Sequence, residues 1–342
     1  MKILYFSWHE ILERDELQLF EELGFDYLSL GAFYNPSEQQ GKYLRPPLMA
    51  KHSLFEQYKG DWTNKESLTK EAIKNFDVLI FMHNPKKEQP EITKNWQNIR
   101  HKKCIYRSIG QSSRLTEKAL APFKKDGLLI VRYSPKEKTI PSYCGEDAMI
   151  RFYKDENEFC NWNGKVKRVI SVGQNVKGRA SACNFETLLK ATEPFERRLY
   201  GPNNENTGLI GGKIDYDLLK SELRDNRVYF YTGTQPASYT LGFIEAMISG
   251  IPIVALGPKH CNRDYPEQQT YEVHEIIKNG ENGFWSDDIP TLQKYIQQLM
   301  DDDELAQRIS KVGRETAIKY FGKSKIKEEW RVFLESLFKE EK

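Results

Sequence analysis

The chain has 342 residues, 39% hydrophobic and 29% charged, with a formal net charge of +2. That length exceeds what one hydrophobic core usually serves and predicts two domains. The near-neutral balance gives no argument for non-specific nucleic-acid binding, and no apolar window reaches the length of a membrane span. In chain order, Met1–Ser7 reads as a strand rather than a signal peptide, because its apolar run is short and His9-Glu10 follows at once. Apolar periodicity then predicts a helix over Asp15–Leu23, a strand over Tyr27–Leu30, a helix over Lys65–Asn75 and a strand over Asp77–Met82 ending at His83. A strand over Lys103–Arg107, a helix over Thr116–Lys125 and a strand over Leu128–Tyr133 follow. Such alternation predicts a parallel sheet covered on both faces.

Asn35 to Asp61 breaks the pattern. It carries Pro36, Pro46 and Pro47, with Tyr34, Tyr43, Phe55, Tyr58 and Trp62 in or beside it, and a long irregular segment of this kind reads as a functional or mobile loop. Asp155–Gly164 reads as a linker. Alternation restarts with a strand over Arg168–Val172, a helix over Phe185–Thr192, a strand over Arg197–Tyr200 and a helix over Tyr216–Arg224. Then comes a buried strand at Val228–Tyr231, a small-residue turn at Thr232–Ser238, a helix from Tyr239 or Thr240 to Gly250, and a strand over Ile251–Leu256. Three helices close the chain, over Ile289–Met300, Asp303–Tyr320 and Lys325–Phe338. The five cysteines, Cys104, Cys144, Cys160, Cys183 and Cys261, are odd in number, widely spaced and without a Cys-x-x-Cys pair. This predicts a reduced cytoplasmic protein with incidental thiols and no zinc site.

The helix that starts near Thr240 presents free backbone N–H groups at the carboxyl end of a parallel sheet, which suits an anionic phosphate. Lys177 and Arg179 follow Gly173 at the end of another strand and would supply cations to the same anion. Glu245 lies in the second turn of the helix, where a carboxylate serves the dipole. Arg107, Gln111 and Arg132 follow strands of the first half and would line its cleft. The acidic runs Ser286-Asp287-Asp288 and Asp301-Asp302-Asp303 flank helices and read as caps, so no metal site is expected.

Taken together, Glu245-Ala246-Met247, Gly250, Pro252, Glu275-Ile276-Ile277, Gly280 and Asn282-Gly283 resemble the nucleotide-sugar-binding half of the retaining GT-B glycosyltransferases of family 4. The resemblance covers about Lys165 to Phe338 well; the first 150 residues resemble the family only in architecture and in the strand ending at His83. It implies an α/β GT-B fold: two doubly wound Rossmann-like domains facing across a cleft. An acceptor domain over 1–160 and a donor domain over 165–322 would be joined by a C-terminal helix, 323–342, crossing back to the first domain.

By the same resemblance, Glu245 would hold the ribose, and Lys177 and Arg179 the diphosphate. Ser238, Tyr239, Thr240, Leu241, Gly173 and Gly201 would surround the donor, and His83 would contact the donor sugar or position the acceptor. His9 and Glu10 stand where relatives carry a Gly-rich loop. Ala237 stands where the family has the Glu that meets the donor sugar. The implied reaction moves a sugar from a UDP- or GDP-type nucleotide sugar to an acceptor hydroxyl, with retention and without metal or cofactor. The acceptor is left open among a glycan, a lipid-linked sugar, a small molecule and modified DNA.

A DNA-base glycosyltransferase would use Arg45, Lys51 and Lys59 with the aromatic loop. Ala237 suggests instead a non-catalytic sugar-nucleotide binder. The clusters Lys124-Lys125 and His101-Lys102-Lys103 would suit the inner membrane surface.

Overall fold

The structure is a computed structural model that describes residues 1–31 and 68–339. The expected loop Asn35–Asp61, with Arg45, Lys51 and Lys59, and the start of the expected helix Lys65–Asn75 lie outside the described residues. The chain divides into two compact units, Met1–Phe152 with Ile326–Lys342, and Tyr153–Lys325. Among the described residues no helix is long and apolar enough to cross a membrane.

In the first unit, β1 (Lys2–Phe6), β2 (Asp26–Ser29), β3 (Val78–Met82), β4 (Lys103–Arg107), β5 (Leu129–Arg132) and β6 (Ala148–Met149) form one sheet. Its order is β2-β1-β3-β4-β5-β6, and each pair is parallel. β3 reads Val-Leu-Ile-Phe-Met and is buried throughout, as a strand covered on both faces must be. Leu4, Phe6, Leu79, Phe81, Tyr106 and Ile130 share one core. Order reverses between β1 and β3, and open parallel sheets take ligands outside the carboxyl ends of strands at such a point.

The first helix starts five residues earlier than its apolar spacing suggests, spanning Glu10–Glu22, because His9 caps it: Leu12 N–H donates to His9 Nδ1 at 3.3 Å. The last helix, Lys323–Ser336, brings Trp330 into this unit, edge-on to Phe20 at 5.4 Å.

The second unit holds β7 (Val166–Val172), β8 (Arg197–Tyr200), β9 (Ile210–Gly212), β10 (Asn226–Tyr231), β11 (Ile253–Leu256) and β12 (Phe284–Ser286). These strands pair in parallel in the order β12-β11-β10-β7-β8-β9. This is a Rossmann-like winding with its reversal between β7 and β10. Both acidic runs cap helices: Asp288 accepts from Thr291 N–H, and Asp302 accepts from Leu305 N–H. The Asn282-Gly283 turn is fastened by Asn282, whose Oδ1 accepts from Lys278 N–H at 2.7 Å and whose Nδ2 donates to Ile276 O at 3.0 Å.

Candidate functional site

In the second unit, the loops leaving β7 and β10 flank the reversal point. β7 is followed by Gly173, whose carbonyl accepts from Asn204 Nδ2 at 2.7 Å; the same nitrogen donates to Gly201 O at 3.0 Å. Asn204 Oδ1 in turn accepts from Val176 N–H at 2.9 Å. Gly201 has φ +122° and lies against the Gly173 carbonyl so closely that a Cβ would collide with it. Only glycine permits this packing of one strand-end loop on the next.

Lys177 and Arg179 project from the β7 loop. Both are exposed. Lys177 Nζ donates to Asn206 O at 2.7 Å, and Arg179 Nε donates to Gln174 O at 3.1 Å. Their partners are backbone carbonyls; neither pairs with a carboxylate among the described residues. Two cations are thus held in one loop without being neutralised.

Beyond β10, the helix Leu241–Ser249 opens at Thr240 with no side-chain cap and no acidic residue in its first turn. Its N-terminal N–H groups therefore keep their positive partial charge. A Cβ on Gly242 would stand 3.9 Å from Val172 O, so the start of this helix is beside the end of β7. The uncapped helix start and the loop that bears Lys177 and Arg179 thus leave the same reversal point of the sheet, and a helix start of this kind suits an anion.

The other expected donor residues divide. Thr240 and Leu241 are half-buried at the helix start. Ser238 is fully buried, and Tyr239, 2% exposed, packs edge-on against Phe321 at 5.1 Å. Tyr239 therefore belongs to the core. Ala237 is also buried. Glu245 sits deeper than an exposed sugar ligand would: its Oε1 lies 2.9 Å from Lys154 Nζ, with side chains 8% and 2% exposed. No sequence signal marked Lys154 as its partner. Glu275 is exposed beside His274.

The first unit places its expected cleft residues differently. Arg107 is 0% exposed. Its Nε donates to Glu16 at 2.7 Å and its NH1 to Ile150 O at 2.7 Å, and its guanidinium lies 4.7 Å from the Phe152 ring centroid. Arg132, also 0% exposed, makes a two-pronged pair with Glu117 at 2.7 and 2.8 Å. Both guanidiniums are committed inward, so the expectation that they line a cleft gives way to a packing role. Gln111 is exposed in the turn after β4, and His9 is half-buried as the helix cap.

His83 is 1% exposed, with Nδ1 2.7 Å from Tyr106 Oη. Burial, with a smaller push from Lys87, lowers its pKa to about 4, so the ring is neutral at pH 7. Glu137 moves the other way. Burial pushes it up to about 7, although Arg132, Ser108 Oγ and Tyr133 N–H all favour its ionised form.

These two shifts have opposite signs in stability. The His83 contribution is present above pH 6.5 and lost as pH falls through about 4; the Glu137 contribution is present below pH 4.5 and lost as pH rises through about 7. Between about pH 4.5 and 6.5 they oppose one another. His83→Gln is therefore expected to lose stability as pH rises across that window, and Glu137→Gln as pH falls, each by roughly 3 kcal/mol over its full range. Urea midpoints from pH 4 to 7.5 measure both. Profiles parallel to that of the unsubstituted chain would remove the assignment.

No protein-family model matches the chain, and no curated protein matches its sequence. Solved structures do match, and they give the chain the GT-B fold. Anabaena Alr3699/HepE in complex with UDP and glucose aligns over 98% of this chain and 100% of its own, at TM-score 0.67 and 13% identity. A glycosyltransferase from Rickettsia africae ESF-5 aligns over 98% of each chain, at TM-score 0.66 and 13% identity. S. aureus TarM, solved with UDP among its ligands, aligns over 75% of this chain and 55% of its own, at TM-score 0.56 and 18% identity.

Proposed function

We propose that this chain is a glycosyltransferase whose second unit binds a nucleotide-diphosphate sugar and whose first unit binds the acceptor hydroxyl. One observation carries the reading: Lys177 and Arg179 stand without carboxylate partners in the β7 loop, at the reversal point that also holds an uncapped helix N-terminus. The diphosphate of a nucleotide sugar fits that charge, and the leaving phosphate gains negative charge as the glycosidic bond breaks, which fixed cations stabilise. HepE, a structure of the same fold, was solved with UDP-glucose, which supports UDP as the first nucleotide to test.

In the proposed reaction the acceptor oxygen bonds to the anomeric carbon on the face from which the bond to the phosphate oxygen breaks. Configuration is thereby retained. The departing phosphate oxygen takes the acceptor proton, so no protein base and no metal is needed. The ribose hydroxyls fall to Glu245, and the reaction is proposed to take place in the cytoplasm. A second reading, a non-catalytic sugar-nucleotide binder, draws on Ala237, whose methyl group cannot hydrogen-bond a sugar; UDP released from UDP-glucose in an acceptor-dependent assay excludes it.

Calorimetric titration with UDP and GDP tests the donor site. Lys177→Ala and Arg179→Ala are each expected to weaken nucleotide binding by about 1.5–3 kcal/mol, the worth of a hydrogen bond to a charged group. A double variant that binds nucleotide as tightly as the unsubstituted chain overturns the phosphate assignment.

A further inference from the structure

We infer that Trp8 is a stacking platform for a pyranose ring of the acceptor, which makes the acceptor a neutral saccharide. Trp8 stands two residues beyond the end of β1, on the side of the reversal point between β1 and β3 where an open parallel sheet takes its ligand. It is 48% exposed, and it is the only exposed tryptophan among the described residues. An indole exposed at the end of the sheet where such folds take ligands is available to stack on one.

The indole is also held in place. Its Nε1–H donates to Glu91 Oε1 at 3.1 Å. Glu91 is 4% exposed, and Asn84 Nδ2 donates to both of its oxygens at 2.7 and 2.9 Å. Asn84 is fixed in turn by Gln89: Asn84 N–H donates to Gln89 Oε1 at 2.8 Å, and Gln89 Nε2 donates back to Asn84 O at 3.0 Å. Gln89 adopts φ +49°, a left-handed backbone that a side chain other than glycine enters at a cost. The loop after β3 is thus built around one task, presenting a carboxylate to the indole edge.

With its edge tied, the indole offers a face. The π-cloud is negative there and attracts weakly positive groups. The axial C–H bonds of a pyranose have that character, while its equatorial hydroxyls project beyond the ring to the polar rim. Glu91, 4% exposed, already accepts three hydrogen bonds, so it fixes the indole and leaves the face to the sugar.

A nucleobase would stack as well, but the group that holds the indole is the Glu91 carboxylate, and Glu10 stands two residues along the chain. Carboxylates beside the platform favour an uncharged ring over a polyanion. The two lysines of the same loop, Lys86 and Lys87, are exposed and accompanied by Glu88.

The purpose of the platform rests on the glycosyl-transfer reading, but its test is a binding measurement that stands apart from it. In the full chain labelled at indole nitrogen, Trp8→Phe identifies the Trp8 signal among the six tryptophans. Titration uses methyl glycosides of glucose, galactose, mannose and N-acetylglucosamine, maltotriose and cellotriose, each with and without UDP. A saturable shift of the Trp8 signal by at least one saccharide is expected, together with a Kd raised tenfold or more in Trp8→Ala. Calorimetry with UDP on the same samples reports separately on the donor site. The proposal is overturned if no saccharide moves the Trp8 signal, or if a single-stranded oligodeoxynucleotide moves it and the sugars do not. A sugar-dependent shift in a chain that binds no nucleotide keeps the platform and removes the donor reading.

Discussion

Glu245→Ala is expected to cost the second unit about 3–5 kcal/mol of folding free energy, because it takes a carboxylate at ion-pair distance away from the buried Lys154 ammonium. The two groups are 2.9 Å apart and almost wholly excluded from water. A carboxylate that also holds a ribose would show a second effect, loss of nucleotide affinity by about 1.5–3 kcal/mol for each hydrogen bond removed. The effects separate in a double variant. Lys154→Met with Glu245→Gln removes both charges, and stability should return towards that of the unsubstituted chain, as it does when a buried ion pair is replaced by neutral groups of similar volume. Nucleotide affinity should not return, because an amide lacks the charge that strengthens bonds to the hydroxyls. Denaturation midpoints and calorimetry on these two variants and the unsubstituted chain measure both quantities. If affinity recovers along with stability, Glu245 is a packing residue and the ribose must be held elsewhere.

The strands were legible because each is a short apolar run between turn residues: Lys103–Arg107 and Arg197–Tyr200 fall where the pattern puts them. The helix after β10 was legible for the same reason, with Gly250 closing it at φ +91°. Elements with little periodicity to read escaped. β6 is two residues long, and the helices Pro90–Thr93 and Trp96–Ile99 are one turn each. The first helix was shortened in the sequence reading because a histidine cap is not among the usual start signals.

Side-chain direction was harder to read than backbone. Arg107 and Arg132 end strands at the sheet edge that carries function, and from sequence they point outward as readily as inward. What turns them inward is a carboxylate from elsewhere, Glu16 at a separation of 91 residues and Glu117 at 15. No spacing rule connects such pairs. Lys154 was silent for the same reason. Trp8 had a signal, an aromatic residue in the turn after the first strand, but its meaning depends on Glu91, 83 residues away.

Glu117→Ala is expected to destabilise the first unit by about 3–5 kcal/mol, a Tm drop on the order of 10 °C. The pair it breaks is two-pronged and fully buried on both sides. Arg132 cannot swing to water in compensation. Its guanidinium lies 4.7 Å from the Tyr143 ring centroid and also donates to Gly145 O at 3.0 Å. Glu137 Oε1 lies 3.7 Å from it, but burial favours the neutral form of that group.

Replacing both partners, with Glu117→Leu and Arg132→Met, removes the charges together and should leave the unit as stable as before or more so, since desolvation offsets much of what an ion pair contributes. Urea unfolding of the two variants beside the unsubstituted chain measures this, and calorimetry with UDP accompanies it. Stability lost in the single variant and restored in the double, with nucleotide affinity constant throughout, is the signature of a packing residue. If Glu117→Ala instead folds as stably as the unsubstituted chain, Arg132 has somewhere else to place its charge, and its first reading as a residue facing ligand returns.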